Sequence, residues 1–354
     1  MQENEVRYIA YTGKATNVLK QKNCPNPTTA HKLLYHARRM PTGNYIFVPK
    51  APFEMESEIK IVVVDEVSML PWKMWNLLCQ HNFYILACGD PEQLSPISDT
   101  PGEDADNHVL DNPHIFLDEI MRQAQESEII RLSMHVRQGN PLSTFPCKNE
   151  QVMMFHKSEL STSMLLWADQ VLCATTRNKL ILNNQMRAAQ ELPNEPMVGD
   201  KIINLHNEWE ILSNQQNPLT NGVIGTIKQM TISNWNYPYW VRGHSFSVPI
   251  LTATISGDND DEQYDMISFD YNELLTGNPS LNPKEEYRLH KKFALPLHAN
   301  FGYAISVWKA QGSEWDKVLL CEESGWPRGQ VERKKYLYTG ITRAAKKLVV
   351  IQKN

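Results

Sequence analysis

Two adjacent carboxylates, Asp65 and Glu66, end the apolar run Ile61–Val64. An acidic pair at the C-terminal end of a buried parallel strand suits a site where one group holds a hydrated divalent cation and the other orients a water. A second apolar run, FYILAC at 83–88, leads into GDPEQLSPI at 89–97, whose Gln93 carries an amide a few residues past Gly89 and Asp90. VWKAQGSEWD spans 307–316, and YTGITRA at 338–344 supplies Arg343, a planar cation of the kind that stabilises charge in phosphoryl transfer. The motif VVVDE alone is a weak signal, because a strand ending in Asp-Glu is common in α/β proteins. The long GDPEQLSPI segment and the QGSEWD and YTGITRA pair are far more specific.

The order and wording of these segments resemble the RecD/Dda-like branch of superfamily 1 (1B) DNA helicases, closest to the RecD-like enzymes of phages, over about residues 8–351. The resemblance implies ATP and Mg2+ as cofactors, with Asp65 on the metal, Glu66 on the attacking water and Gln93 sensing the γ-phosphate. It also implies that Arg122, of the pair Arg122–Gln123, and Arg343 close on the nucleotide from the far side of a cleft, with Gly312 nearby. On the DNA side it implies Gly13 and Lys14, Thr29 and His31 of TTAHKLL, Thr175, Arg177 and Asn178 after a second strand, and Ser306, Trp308 and Gln311. Movement 5′ to 3′ on single-stranded DNA, unwinding at duplex junctions, and a role in DNA replication, recombination or repair follow from the same resemblance. The family's T-x-H-K-x-Q-G reads here Ser306-Val307-Trp308-Lys309-Ala310-Gln311-Gly312, so Trp308 keeps a stacking surface and loses a titratable donor.

One segment of the pattern is not found. Backbone amides and a lysine in a GxxxxGKS/T loop should precede the acidic strand and cradle the phosphates. YTGKAT at 11–16 comes nearest, but Ala15 stands where a hydroxyl is needed and no second glycine lies five residues before Gly13. It reads instead as the next segment of the family, a strand at Val6–Ala10 running into a helix N-terminus that touches DNA. On that pattern the chain begins one strand–helix unit late. A truncated product, a misassigned start, and a split helicase whose P-loop comes from a separate chain all remain open. So does a catalytically impaired pseudo-helicase that only binds single-stranded DNA, against which stands the presence of Asp65, Glu66, Gln93, Arg122 and Arg343 together. A nuclease is disfavoured, since no PD-(D/E)xK-like acidic cluster occurs.

The surrounding elements must position these groups. With 354 residues and 42% apolar content the chain can bury two or three cores. A formal net charge of −5 argues against a general polyanion binder, so any nucleic-acid contact must come from local basic stretches at 14–22, 31–39 and 334–347. Alternating short apolar strands and helical patterns predict an α/β fold of two RecA-like parallel-sheet domains, the first incomplete at its N-terminus. The expected boundaries are 1–145, with a β-hairpin insertion at about 40–58, then 146–196 together with 299–354, and an inserted SH3-like β-barrel at 197–298. The hairpin is where the family carries its strand-separating pin; Tyr45 and Phe47 either stack on bases or pack the hairpin's own face. Ser127 is the expected cap of a helix bearing Ile129, Leu132 and Val136 on one face and stopped by Gly139. Six cysteines without CxxC spacing read as reduced packing residues. No signal peptide or membrane-length apolar run is apparent, so a cytoplasmic monomer is expected.

Overall fold

A computed structural model of the chain describes residues 2–40, 45–96, 106–117, 126–205, 219, 221–257, 263–290, 292–326 and 329–353. Its first sheet is parallel, in the order Thr28–Thr29, Val6–Ala10, Ile61–Asp65, Tyr84–Ala87. Alternation along the strands assigns one face to Ile9, Val62 and Val64, which pack with Leu33 and Leu34 of the helix Ala30–Leu34 and with Met74 and Leu78 of the helix Trp72–Cys79. Ala10 points to the other face, where Ala15 and Leu19 of the helix Gly13–Gln21 cover it. Thr12 caps that helix by accepting a hydrogen bond from the Ala15 amide at 3.1 Å.

The hairpin insertion pairs Tyr35–Arg39 with Tyr45–Pro49, so it starts before residue 40. Phe47 packs against His31, with ring centroids 4.8 Å apart, and against Tyr35 at 6.0 Å, tying the hairpin to the helix that carries His31. Phe47 thus packs on both its own hairpin and the preceding helix while staying 39% exposed, and the Tyr45 side chain lies outside the described residues.

The second sheet is also parallel, in the order Ala304–Ser306, Gln170–Cys173, Trp315–Cys321, Ala344–Gln352, Val152–His156. The helices Glu128–Arg137 and Gln330–Ile341 bury Leu132, Val136, Tyr336 and Leu337 against it. The Ser127 hydroxyl accepts from the Ile130 amide and Gly139 turns the chain at φ +82°, as the sequence predicts. Between the strands of this sheet lies an antiparallel one, ordered Gln263–Asp270, Phe246–Gly257, Ile224–Tyr237, Lys201–Asn204, Ala299–Phe301. Its two edges meet: the Leu297 amide donates to the Ser268 carbonyl at 2.7 Å and the Asp270 amide donates to the Leu297 carbonyl at 2.9 Å, which closes the sheet into a barrel. The long hairpin Ile224–Tyr237/Phe246–Gly257 runs on past the barrel and has a small core of its own, with Tyr237, Val241, Val248, Leu281 and Leu289. Among the described residues no helix is long and apolar enough to cross a membrane, and the six cysteines are unbridged.

Candidate active site and nucleic-acid groove

The acidic pair sits where the strand Ile61–Asp65 ends. Glu66 adopts left-handed backbone, φ +50°, which costs a non-glycine residue about 1–2 kcal/mol, and its amide donates to the Asp65 carboxylate at 3.0 Å. The turn is fixed from beside it, because the Val67 amide donates to the Cys88 carbonyl at 2.9 Å. Gly89 suits this close approach, since a Cβ there would meet Val67 at 3.1 Å and push it aside. Burial pushes the Glu66 carboxyl above its usual range; Arg343 opposes the shift, and the neighbouring Asp65 and Asp90 add to it.

Arg343 comes from the other sheet's side of the cleft. It is 8% exposed, and its guanidinium donates to the Thr339 carbonyl at 3.1 Å, the Ser313 carbonyl at 3.3 Å and the Thr342 hydroxyl at 3.1 Å. Burial lowers its pKa, and Glu66 is the foremost group working against that. Glu66 on the first sheet and Arg343 beside the second therefore interact across the cleft.

The loop after Tyr84–Ala87 is stitched to the helix Gln330–Ile341. The Tyr338 hydroxyl donates to Asp90 at 2.6 Å, and the Leu94 amide donates to the Thr339 hydroxyl at 2.9 Å. Gln311 donates to the Leu94 carbonyl at 3.2 Å, Lys335 to the Ser95 hydroxyl at 2.9 Å, and Lys334 pairs with Glu92 at 2.7 Å. Leu94 itself is packed in the core of the second sheet. The side-chain oxygens of Gln93 and Gln311 and the indole nitrogen of Trp308 are buried there without a protein hydrogen-bond partner.

Past this junction lies a cavity of about 340 Å³ lined by Tyr11, Thr12, Gly13, Lys14, His31, Met69, Pro96, Asn221, Gly222, Trp308, Lys309 and Gln311. It joins the N-terminus of the helix Gly13–Gln21 to the turn Val307–Ala310, which Ser306 caps by accepting from the Lys309 amide. Lys14 lies over the Trp315 ring, 5.1 Å from its centroid. Lys309 donates to the Asn221 side chain, and burial, helped by Lys179, lowers its pKa to about 8. Trp308 packs edge-on against Trp326 with centroids 4.9 Å apart. Gly312, at φ +74°, lies where a Cβ would come 3.5 Å from Ala15, so the two halves of the molecule abut there.

The sequence-read residues therefore divide. Asp65, Glu66 and Arg343 gather around the acidic turn, Gln93 follows Asp90 with its amide on the Asp90 carbonyl at 3.2 Å, and Gly13, Lys14, His31, Trp308 and Gln311 line the cavity. Thr29 is buried and caps the helix Ala30–Leu34 through the Lys32 amide at 3.2 Å, and Ser306 is likewise a cap. Thr175 caps the helix Thr176–Ala189, is bound by the buried Glu323, and like Arg177 and Asn178 lies outside the cavity lining. Arg177 is exposed. Arg122 lies outside the described residues. The sequence reading passed over Lys309, Tyr338 and Thr339, although all three stand inside quoted motifs, and it passed over Asn221, which no local signal marks.

Residues 1–155 match the model of the AAA domain, and residues 301–351 match that of the UvrD-like helicase C-terminal domain. In fold the chain is similar to the Pif1 helicase from Bacteroides in complex with ADP-AlF3 and single-stranded DNA, with a TM-score of 0.51 and 14% identity over 98% of this chain and 88% of that one. It is similar to the same degree, with a TM-score of 0.51 and 15% identity over 98% of this chain and 82% of the other, to a structure describing DNA unwinding at forked duplex by two coordinating Pif1 helicases. The α/β architecture, with its two parallel sheets, thus resembles the two-domain, RecA-like fold of the Pif1 helicases.

Proposed function

We propose that this chain is the motor portion of an ATP-dependent DNA helicase of RecD/Dda type, moving 5′ to 3′ on single-stranded DNA and opening duplex junctions. The observation that carries the reading is the convergence of Asp65, Glu66 and Asp90 from one sheet with a buried Arg343 from the other, next to a cationic cavity that also spans both. In this reading Asp65 is the Mg2+ ligand, Glu66 the base toward water, Gln93 and Gly312 lie beside the nucleotide, and Arg343 and Arg122 offset phosphate charge. Lys14, Lys309 and Trp308 fit a single strand, offering cations to phosphates and an aromatic face to a base without any sequence-reading group. Thr29, His31, Thr175, Arg177, Asn178, Ser306 and Gln311 complete that path.

The described residues fit ATP only in part. The metal and water half is present, but no glycine-rich amide nest with a lysine faces Asp65, and the nearest candidate, Lys14, lies over Trp315. This favours a helicase whose phosphate cradle is supplied by another segment over one that hydrolyses ATP with the described residues alone. Two measurements test it: single-strand-stimulated ATP turnover, and unwinding of duplexes bearing a 5′ or a 3′ tail. Activity confined to 5′ tails, with slow turnover by the 354-residue chain and fast turnover once a P-loop unit is supplied, is the expected result. Unwinding from 3′ tails only would overturn the direction, and fast turnover by the unsupplemented chain would overturn the partial fit.

A further inference from the structure

The long hairpin Ile224–Tyr237/Phe246–Gly257 ends in a turn at residues 238–245 that shares a small core with the helix Pro283–His290, and none of these residues lines the cavity of about 340 Å³. The composition of this outlying piece departs from that of the chain. Residues 235–246 and 283–293 hold seven aromatic side chains and five lysines and arginines against two glutamates, on a protein of net charge −5. Both glutamates are turned inward: Glu285 accepts from Arg242 at 2.6 and 3.0 Å, and Glu286 pairs with the buried His298 at 3.2 Å. The exposed charge of the piece is therefore cationic, at Lys284, Arg288 and Lys292.

The turn is held in one shape while its rings stay in water. Tyr237 and Val241 are buried, whereas Tyr239 and Trp240 between them are 67% and 38% exposed. The Val241 amide donates to the Pro238 carbonyl at 3.1 Å and the Gly243 amide to the Tyr239 carbonyl at 2.7 Å. From outside the turn, Arg288 donates to the Val241 carbonyl at 3.2 Å, and Arg242, fixed by Glu285, lies over the Phe246 ring 4.1 Å from its centroid. Two neighbouring rings on a fixed backbone have little ordering entropy left to lose on stacking against a partner. Lys292 sets its ammonium 5.2 Å from the centroid of the Trp240 ring. A ring with a cation beside it matches a nucleotide, whose base stacks on the one while its phosphate meets the other. The excess of cations favours a polyanion over an ordinary protein surface, and exposed rings favour unstacked bases over a duplex, in which every base already has its neighbours.

We propose that the turn at 238–245 and the helix Pro283–His290 form a second contact for single-stranded DNA, separate from the cavity. Tyr239 and Trp240 stack on bases there, and Lys292, Lys284 and Arg288 meet phosphates. The contact is indifferent to sequence, because ring faces and phosphates carry no base identity. It goes beyond the proposed function, since its class of ligand follows from the charge and rings of this piece alone.

Fluorescence anisotropy with labelled oligo-dT tests it in the 354-residue chain, with and without Trp308→Ala/Lys309→Gln to disable the cavity. The cavity-disabled chain is expected to keep residual affinity, which Tyr239→Ala/Trp240→Ala then weakens at least about fivefold, while Trp240→Phe, keeping a ring, retains most of it. Lys292→Gln is expected to lower the slope of log affinity against log salt by about 0.7, and none of these substitutions to change the melting temperature. Four results would overturn the contact: no residual affinity in the cavity-disabled chain, residual affinity that Tyr239→Ala/Trp240→Ala leaves within about twofold, a greater loss for blunt duplex than for oligo-dT, or a dimer of the unaltered chain that Tyr239→Ala/Trp240→Ala dissolves. Loss of affinity in the turn variants with none in the cavity variants would uphold this contact and refute the assignment of the cavity to DNA.

Discussion

Thr339→Val isolates the joint between the two sheets. The Thr339 side chain is fully buried and accepts from the amide of Leu94, itself 3% exposed, at 2.9 Å. Valine has the same shape and cannot accept, so in the closed arrangement one buried amide loses its partner, a penalty of about 1–3 kcal/mol. When the loop at Asp90–Ser95 swings away from the helix Gln330–Ile341 that amide reaches water, and the penalty disappears. The closed state alone is therefore destabilised. At about 1.4 kcal/mol per factor of ten, the open population rises by about 5-fold to 150-fold. Leu94 is sequestered in the core of the second sheet, so proteolytic cleavage after it tracks that open population. Cleavage by chymotrypsin at Leu94 should accelerate by that factor in Thr339→Val, and Thr339→Ser should restore most of the protection. A cleavage rate within about twofold of the unaltered chain, with circular dichroism unchanged, would show that this hydrogen bond does not hold the cleft shut.

Other perturbations follow from the same geometry. Lys309 titrates near 8 because it is buried beside Lys179, so its charge is lost as pH rises through about 8; affinity for oligo-dT should fall between pH 7 and 9, and Lys309→Gln should flatten that slope, as fluorescence anisotropy would reveal. His298 is held between Glu273 at 2.6 Å and Glu286 at 3.2 Å; burial favours its neutral form, but these two hydrogen bonds prevail and raise its pKa to about 10. Its folded pKa exceeds the unfolded value of about 6.5, so its stabilisation is complete below that pH and is lost as pH rises toward 10; thermal melting should show the decline, and His298→Gln should remove it. In the chain supplied with a P-loop unit, Glu66→Gln should keep ADP binding and cut turnover at least about a hundredfold, and a loss under about tenfold would take the water-orienting role away from Glu66.

The strand ends were legible because apolar alternation and abrupt polarity coincide at Ile61–Asp65 and Val171–Ala174, and the second was found within a residue of its place at Gln170–Cys173. The helix cap at Ser127 was legible for a similar reason, since a short polar side chain before an apolar period has few other uses, whereas Thr175, read as a DNA contact, is found capping a helix. The hairpin past the barrel was not, because residues 232–248 mix aromatics with Asn, Pro and Gly and carry no clean period. Their order comes from Tyr237, Val248 and Leu289 meeting across long sequence separations. The junction of Asp90–Ser95 with Tyr338 and Thr339 escaped for the same reason: each residue is ordinary in its own segment, and the pairing is a property of the packed domains.

The claim that nucleotide and DNA occupy separate neighbouring sites, the acidic turn and the cavity, is tested most directly by nucleotide-free titration of oligo-dT into Arg343→Ala, Lys309→Gln and Trp308→Ala at two salt concentrations. Arg343 faces the acidic turn, so its loss should leave affinity within about twofold. Lys309→Gln should weaken binding and reduce its salt dependence by about one ion, and Trp308→Ala should weaken it by about 1–3 kcal/mol with the salt slope unchanged. A greater loss of affinity in Arg343→Ala than in either cavity variant would contradict the account.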